Sequence, residues 1–239
     1  MLSRRALLGG MLAVAGASVA GCRPAPRGRV ILVHGLGSQA ATYRRRKPAV
    51  DLLARRLAAQ GWAVDVMPYR TEGLGAAHAA ALQDLFDQDP TGATVLDMWL
   101  EDYERHLTGL SRVDGPTILL GISWGGLLIL QAAGRARVRP DGYIAHIPAT
   151  DPRLIEEFGS YDLSALATLN EPALTMPGLL SWSTDDDRVG YEATEELGAR
   201  LRCDTIEYVG LGHNTSDEVV ANLTGWAGRL LDHRGPGSR

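Results

Sequence analysis

Cysteine and phenylalanine each occur only twice in the 239 residues, and lysine occurs once, at Lys47. Two cysteines, Cys22 and Cys203, cannot build a disulfide framework. No apolar run reaches the ~18 residues that a membrane-spanning helix requires. The H-E-x-x-H and C-x-x-C spacings are missing, as is any cluster of His and Cys, so no metal is expected. The dinucleotide fingerprint is missing as well: Gly35-Leu36-Gly37 lacks the third glycine and the acid after the next strand, and no cofactor is expected. Basic excess is absent too. A formal net charge of −4 lacks the electrostatic footprint of non-specific nucleic-acid binding. The surplus of arginine over lysine is read as compositional bias. What remains is globular: 45% hydrophobic and 22% charged residues, in a chain long enough for a buried core.

The first twenty-two residues, MLSRRALLGGMLAVAGASVAGC, read as an address rather than as part of the fold. Arg4 and Arg5 are followed by fifteen uncharged residues and then small residues before Cys22. That is the layout of an export signal. Ser3-Arg4-Arg5-Ala6-Leu7-Leu8 resembles a twin-arginine signal, and Val19-Ala20-Gly21-Cys22 resembles the lipobox of bacterial lipoproteins. The resemblance implies cleavage after residue 21 and lipidation of Cys22, with membrane attachment through acyl chains that contribute ~0.8 kcal/mol per buried CH₂. Loss of Arg4 and Arg5 takes the formal charge from −4 to −6. The expected location is the cell envelope, on the periplasmic face of the outer membrane if two membranes are present. Residues 22–28 read as a tether that its prolines keep from being helical. Residues 29–233 read as one domain and residues 234–239 as a flexible tail. Cys203, at the edge of a strand, reads as a buried structural thiol.

From Arg29 onward, short apolar runs alternate with helical periodicity. Strands are predicted over 29–34, 63–68, 116–122, 142–147, 178–183 and 204–209, since runs such as RVILVH and PTILLGI suit strands buried on both faces. Helices are predicted over 48–60, 95–110, 124–137 and 190–201, with a last helix capped by Ser216 or Asp217. The helix over 124–137 is apolar on most faces and should be buried. This alternation implies an α/β fold: one predominantly parallel sheet of about six strands with helices on both faces. Ligands in such sheets sit outside the carboxyl ends of the strands.

Those ends carry the chemistry. Gly121-Ile122-Ser123-Trp124-Gly125-Gly126 is G-x-S-x-G between a strand and a helix, the context in which that motif presents a nucleophile. Side chains at Gly121 and Gly125 would collide with neighbouring backbone. The Trp124 N–H, opening the helix, would face a developing oxyanion. After the first strand comes His34-Gly35-Leu36-Gly37, where the Leu36 N–H is the second candidate donor and His34 reads as structural. After the fifth strand, Asp185, Asp186 and Asp187 are three candidate carboxylates for orienting an imidazole, and Asp151 after the fourth strand is a further one. His213, in the Gly-flanked loop after the sixth strand, is the candidate base. His106 and His233 read as solvated, whereas His78 and His146 could line the site.

The order Ser, Asp, His resembles that of the alpha/beta-hydrolases. The similarity runs from Arg29 to about Leu231 and rests on VILVHGLG, GISWGG and GLGHN, together with the Asp97-x-Trp99-x-x-Asp102 helix. The acid motif G-x-x-D-x-x-V of such families aligns with Ser183 to Val189. It selects Asp186, with Asp187 as the alternative. Within the family the chain resembles small bacterial carboxylesterases and monoacylglycerol lipases. The resemblance implies ester cleavage through an acyl-enzyme by Ser123, His213 and Asp186. The alternatives are an amidase or aminopeptidase of the same fold and a non-catalytic lipoprotein. The Gly-x-Ser-Trp-Gly elbow also resembles proline iminopeptidases, but those carry a larger cap. Residues 151–177 read as a short cap with apolar Leu154, Ile155, Phe158, Leu163, Leu166 and Leu169, over a pocket for an ester with an apolar acyl chain. Residues 71–89 could add a second wall.

Overall fold

A computed structural model of the chain describes residues 24–70 and 78–233. The export signal and Cys22 therefore lie outside the described residues. Along the chain come β1 (Gly28–Val33), α1 (Ala40–Arg46), α2 (Pro48–Ala59), β2 (Trp62–Val66), α3 (His78–Gln88), α4 (Ala93–Gly109), β3 (Thr117–Ile122) and α5 (Trp124–Arg135). They are followed by β4 (Gly142–His146), α6 (Ser164–Ala167), β5 (Gly178–Ser183), α7 (Glu192–Leu201), β6 (Asp204–Tyr208) and α8 (Asp217–His233). Among the described residues no helix is long and apolar enough to cross a membrane.

The six strands form one parallel sheet in the order β2-β1-β3-β4-β5-β6. The period of two in a strand makes two cores from one apolar run. In β1, Val30 and Leu32 face α2 and α8, in a cluster with Leu53, Leu57, Val220 and Leu223. Ile31 and Val33 face the opposite way, in a cluster with Trp99, Tyr103, Leu127 and Leu130 of α4 and α5. This is why the predicted strands read as continuous hydrophobic runs. β6, with most of its residues exposed, is one of the two edge strands. Cys203 just before it is half-buried, and burial raises its thiol pKa.

The chain leaves β1 for β2 on one side and returns to β3 on the other. The crevice between the carboxyl ends of β1 and β3 is thus the topological switch point of the sheet. α5, which leaves β3 there, is buried from Trp124 to Gly134. The Asp97-x-Trp99-x-x-Asp102 pattern on α4 supports it from behind. Trp99 Nε1 donates to the Leu128 carbonyl at 2.7 Å. The buried Asp102 carboxylate accepts from Arg70 N and Arg70 Nε, both at 2.8 Å.

Three elements differ from the sequence reading. α1 is an additional helix with one buried residue, Tyr43, too short to show a periodic stripe. α3 is a helix whose Leu82 and Phe86 are buried and whose described side chains do not line the cavity, while residues 71–77 of the segment read as a possible second wall lie outside the described residues. In the 151–177 segment, a chain of short turns, Phe158, Leu163 and Leu166 are fully buried. Phe158 packs edge-on against Phe86 and leans on Trp124, while Leu163 N and Ala165 N donate to the carbonyls of Pro90 and Thr91. These apolar side chains tie the cap to the body, and of the six named residues only Leu154 and Ile155 reach the cavity. His106 is half-buried rather than solvated. Among the described residues its Nε2 has no hydrogen-bond partner, and burial lowers its pKa.

Candidate active site

Ser123 follows β3 directly and has φ 58 and ψ −126, a conformation that costs a non-glycine residue ~1–3 kcal/mol. The surroundings over-determine it. Ser123 N donates to the His146 carbonyl at 3.0 Å, and its own carbonyl accepts from Gly126 N at 2.7 Å and Ala149 N at 3.2 Å. Glycine is required on both sides. A Cβ at Gly121 would sit on the Gly125 carbonyl, and one at Gly125 would sit on the carbonyls of Val33 and His34. Gly126 is closed off by Pro148 as well. β1, β3 and the start of α5 therefore touch through backbone, and only backbone fits.

The β1 loop meets the serine at the same place. A Cβ on Gly35 would lie 3.3 Å from Ser123 Cβ and 3.7 Å from its Oγ, so the β1 loop and the first turn of α5 flank the hydroxyl. His34 beneath them is fully buried and stacked on Tyr69, with ring centroids 4.5 Å apart. Tyr69 OH and the Gly35 carbonyl lie 3.1 and 3.0 Å from its Nδ1. It shapes the loop, as the sequence reading had it.

His213 Nε2 lies 2.9 Å from Ser123 Oγ, and His213 Nδ1 lies 2.8 Å from Asp186 Oδ2 and 3.1 Å from Oδ1. The carboxylate partner implies the tautomer with Nδ1 protonated, leaving Nε2 to accept the serine proton. Asp186 is buried. Burial alone would raise its pKa, but hydrogen bonds from His213 and from the Arg188 and Val189 amides hold the carboxyl below its ordinary value.

The other carboxylates do different work. Asp187 is exposed at the cavity, away from the imidazole's hydrogen bonds. Asp151 is bound to Arg153 at 2.7 and 2.8 Å, which keeps its carboxyl low. Asp185 accepts from Ser183 Oγ and, at 3.1 Å each, from Leu211 N and Gly212 N.

Residues 30–188 match the model of the Alpha/beta hydrolase family. The chain belongs to the alpha/beta hydrolase family. No curated protein matches it in sequence. Among solved structures it is similar to Est1E from Butyrivibrio proteoclasticus with ferulic acid bound (18% identity, 87% of this chain and 90% of that one, TM-score 0.63). It is also similar to the monoacylglycerol lipase of Paleococcus ferrophilus (19%, 87% and 96%, TM-score 0.61) and to TT1662 from Thermus thermophilus (18%, 88% and 92%, TM-score 0.64). At such identities the likeness is one of fold.

In this alpha/beta hydrolase, Ser123 and His213 open into a cavity of about 810 Å³. One wall is apolar, from Tyr43, Val50, Ile122, Ile147 and Ile155. The rim carries both signs of charge. Lys47, Arg188, Glu156, Glu157 and Asp187 line it, and among the described residues none of the five is in an ion pair. Among the described residues no group of three His, Cys, Asp or Glu is placed to hold a metal.

One residue left unassigned by the sequence stands out. His146, at the end of β4, does not line the cavity. It is fully buried, with Nδ1 2.9 Å from Ser181 Oγ and Nε2 3.1 Å from the Asn214 carbonyl. The signal was present: a lone polar residue near the carboxyl end of an otherwise apolar run, GYIAHI.

Proposed function

We propose that this protein is a serine carboxylic ester hydrolase working through an acyl-enzyme. The reading is carried by the continuous relay from Ser123 Oγ through His213 to Asp186, with links of 2.9 and 2.8 Å. His213 Nε2 takes the hydroxyl proton as Ser123 Oγ bonds to the ester carbonyl carbon. The negative charge that moves to the carbonyl oxygen is met by the amides of Leu36 and Trp124, each such donor being worth ~3 kcal/mol in the transition state. Asp186 holds the ring in its tautomer and balances the imidazolium. Collapse of the tetrahedral adduct breaks the bond to the alkoxide, which takes the proton from His213. Water, deprotonated by the same nitrogen, then releases the acid and restores Ser123.

The apolar wall of the cavity suits an acyl chain, and the charged rim suits a polar leaving group. Hydrolysis of p-nitrophenyl esters from acetate to palmitate tests the assignment, beside Ser123→Ala. Turnover by the parent alone, with fluorophosphonate labelling of Ser123, supports it. No turnover at any chain length and no labelling sinks it. Glu156 and Glu157 at the rim favour a second reading, in which a substrate's free amino group is held there, and aminoacyl p-nitroanilides in the same assay decide between the two. Lipid anchoring through Cys22 is part of the proposal. Membrane association of the full chain should be lost in Cys22→Ala, and unchanged association refutes it.

A further inference from the structure

The loop after β6 carries His213 but has little to fix its shape. Val209 is 82% exposed, and Gly210 and Gly212 have φ of 75 and 56. Leu211 and His213 are only half-buried. Glycine in such a stretch widens the range of conformations open to the chain. Yet the relay needs the imidazole held to a fraction of an ångström against Ser123.

Two side chains supply the constraint, one on each side of the histidine: Asp185 from the turn after β5 and His146 from the end of β4. Before it, the Asp185 carboxylate accepts from the amides of Leu211 and Gly212 at 3.1 Å each and from the Ser183 hydroxyl. After it, His146 reaches the Asn214 carbonyl at 3.1 Å. That carbonyl can only accept, so His146 Nε2 carries the ring proton, and Nδ1 accepts from Ser181 Oγ at 2.9 Å. The buried ring is pushed down to about 4, which keeps it neutral and preserves one donor and one acceptor. The His146 carbonyl also accepts the Ser123 N–H at 3.0 Å. One residue thus bonds to the nucleophile's backbone and to the backbone next to the base.

We infer that Asp185 and His146 are positioning residues, which set the imidazole of His213 against Ser123 by holding the backbone immediately before and after it. Neither side chain hydrogen-bonds to the serine hydroxyl or the imidazole. The inference rests on the reading of His213 as the base.

The test is the kcat and KM of a p-nitrophenyl ester, normalised to folded protein by circular dichroism, for Asp185→Ala, Asp185→Asn, His146→Phe and His146→Gln. Asp185 is exposed, so its variants report even if His146→Phe fails to fold. The expected result is a ten- to hundredfold fall in kcat for Asp185→Ala and His146→Phe, with KM within twofold. Asp185→Asn keeps an acceptor oxygen and His146→Gln keeps a donor, so both should recover most of the loss. A purely structural role would lower the melting temperature and leave kcat per folded molecule unchanged. Values of kcat within twofold of the parent in Asp185→Ala, with no fall in His146→Phe where it folds, overturn the inference while the ester-hydrolase reading stands. A parent that neither turns over esters nor labels at Ser123 overturns that reading, and the inference with it.

Discussion

The turn that carries Ser123 and the loop that carries His213 meet at one hydrogen bond but are built on opposite terms. The turn is held by backbone: β1, β3 and α5 approach so closely that a single Cβ at Gly121 or Gly125 would overlap a carbonyl. The loop is held by side chains, through the carboxylate of Asp185, the carboxylate of Asp186 and the ring of His146. A backbone-built site fails by losing the fold. A side chain-built site fails by losing its geometry while the fold survives, and substitutions should separate the two.

The largest effect falls on the loop. Asp186→Asn keeps the shape of the side chain but removes the anion that fixes the tautomer of His213, and activity should fall ~10⁴-fold with the melting temperature little changed. Asp187→Asn, on an exposed residue that leaves His213 alone, should stay within about twofold. Ester turnover by the two purified variants decides it. A loss confined to Asp187→Asn would break the assignment of the acid and the contrast with it.

The turn should respond in the other currency. Gly125→Ala places a methyl group on the carbonyls of Val33 and His34, and the strand and helix must separate to admit it. A stability loss of about 3 kcal/mol or more is expected, read as a shift in the urea midpoint. An intact midpoint with reduced activity would show that the turn is less rigid than its contacts imply.

Legibility in the sequence follows the same division. Backbone requirements leave a residue signature, so the glycines around Ser123, the apolar strands and the buried helix α5 were readable directly. The side-chain clasps were less so. Asp185, Asp186 and Asp187 are one residue type at consecutive positions, and only the orientation of the turn separates the carboxylate that reaches the imidazole from the one that holds the amides. The apolar residues of 151–177 were visible, but hydrophobicity does not tell a lid's pocket face from its seat on the body. Phe158, Leu163 and Leu166 turned out to belong to the seat. His146 required knowing which loop β4 ends beneath.

That histidine gives the next effect by size. Its pKa falls from the ordinary 6.5 to about 4 because it is buried, with His213 and Asp186 the ionisable groups beside it. The unfolded chain takes up a proton below pH 6.5 that the folded ring refuses until about pH 4. Stability from this residue is therefore complete above about pH 6.5 and falls as the pH drops, by up to ~3 kcal/mol at pH 4. Urea midpoints between pH 7 and pH 4 should show a gentler decline in His146→Gln than in the parent. Equal declines would mean that the ring is not held neutral.

The smallest effect sharpens the comparison most, because it uses the same substitution as the turn. Gly210 has φ 75, so alanine there is strained, but nothing lies within 4 Å of the added Cβ. Gly210→Ala should cost only the left-handed conformation, about 1 kcal/mol, against about 3 or more at Gly125. Its consequence should lie in kinetics. The loop can relax by moving, since no packed backbone opposes it, and any movement draws His213 away from Ser123. A small midpoint shift with a disproportionate fall in kcat is therefore expected. A midpoint shift as large as that of Gly125→Ala would mean that the histidine loop is clamped by more than the three side chains that reach it.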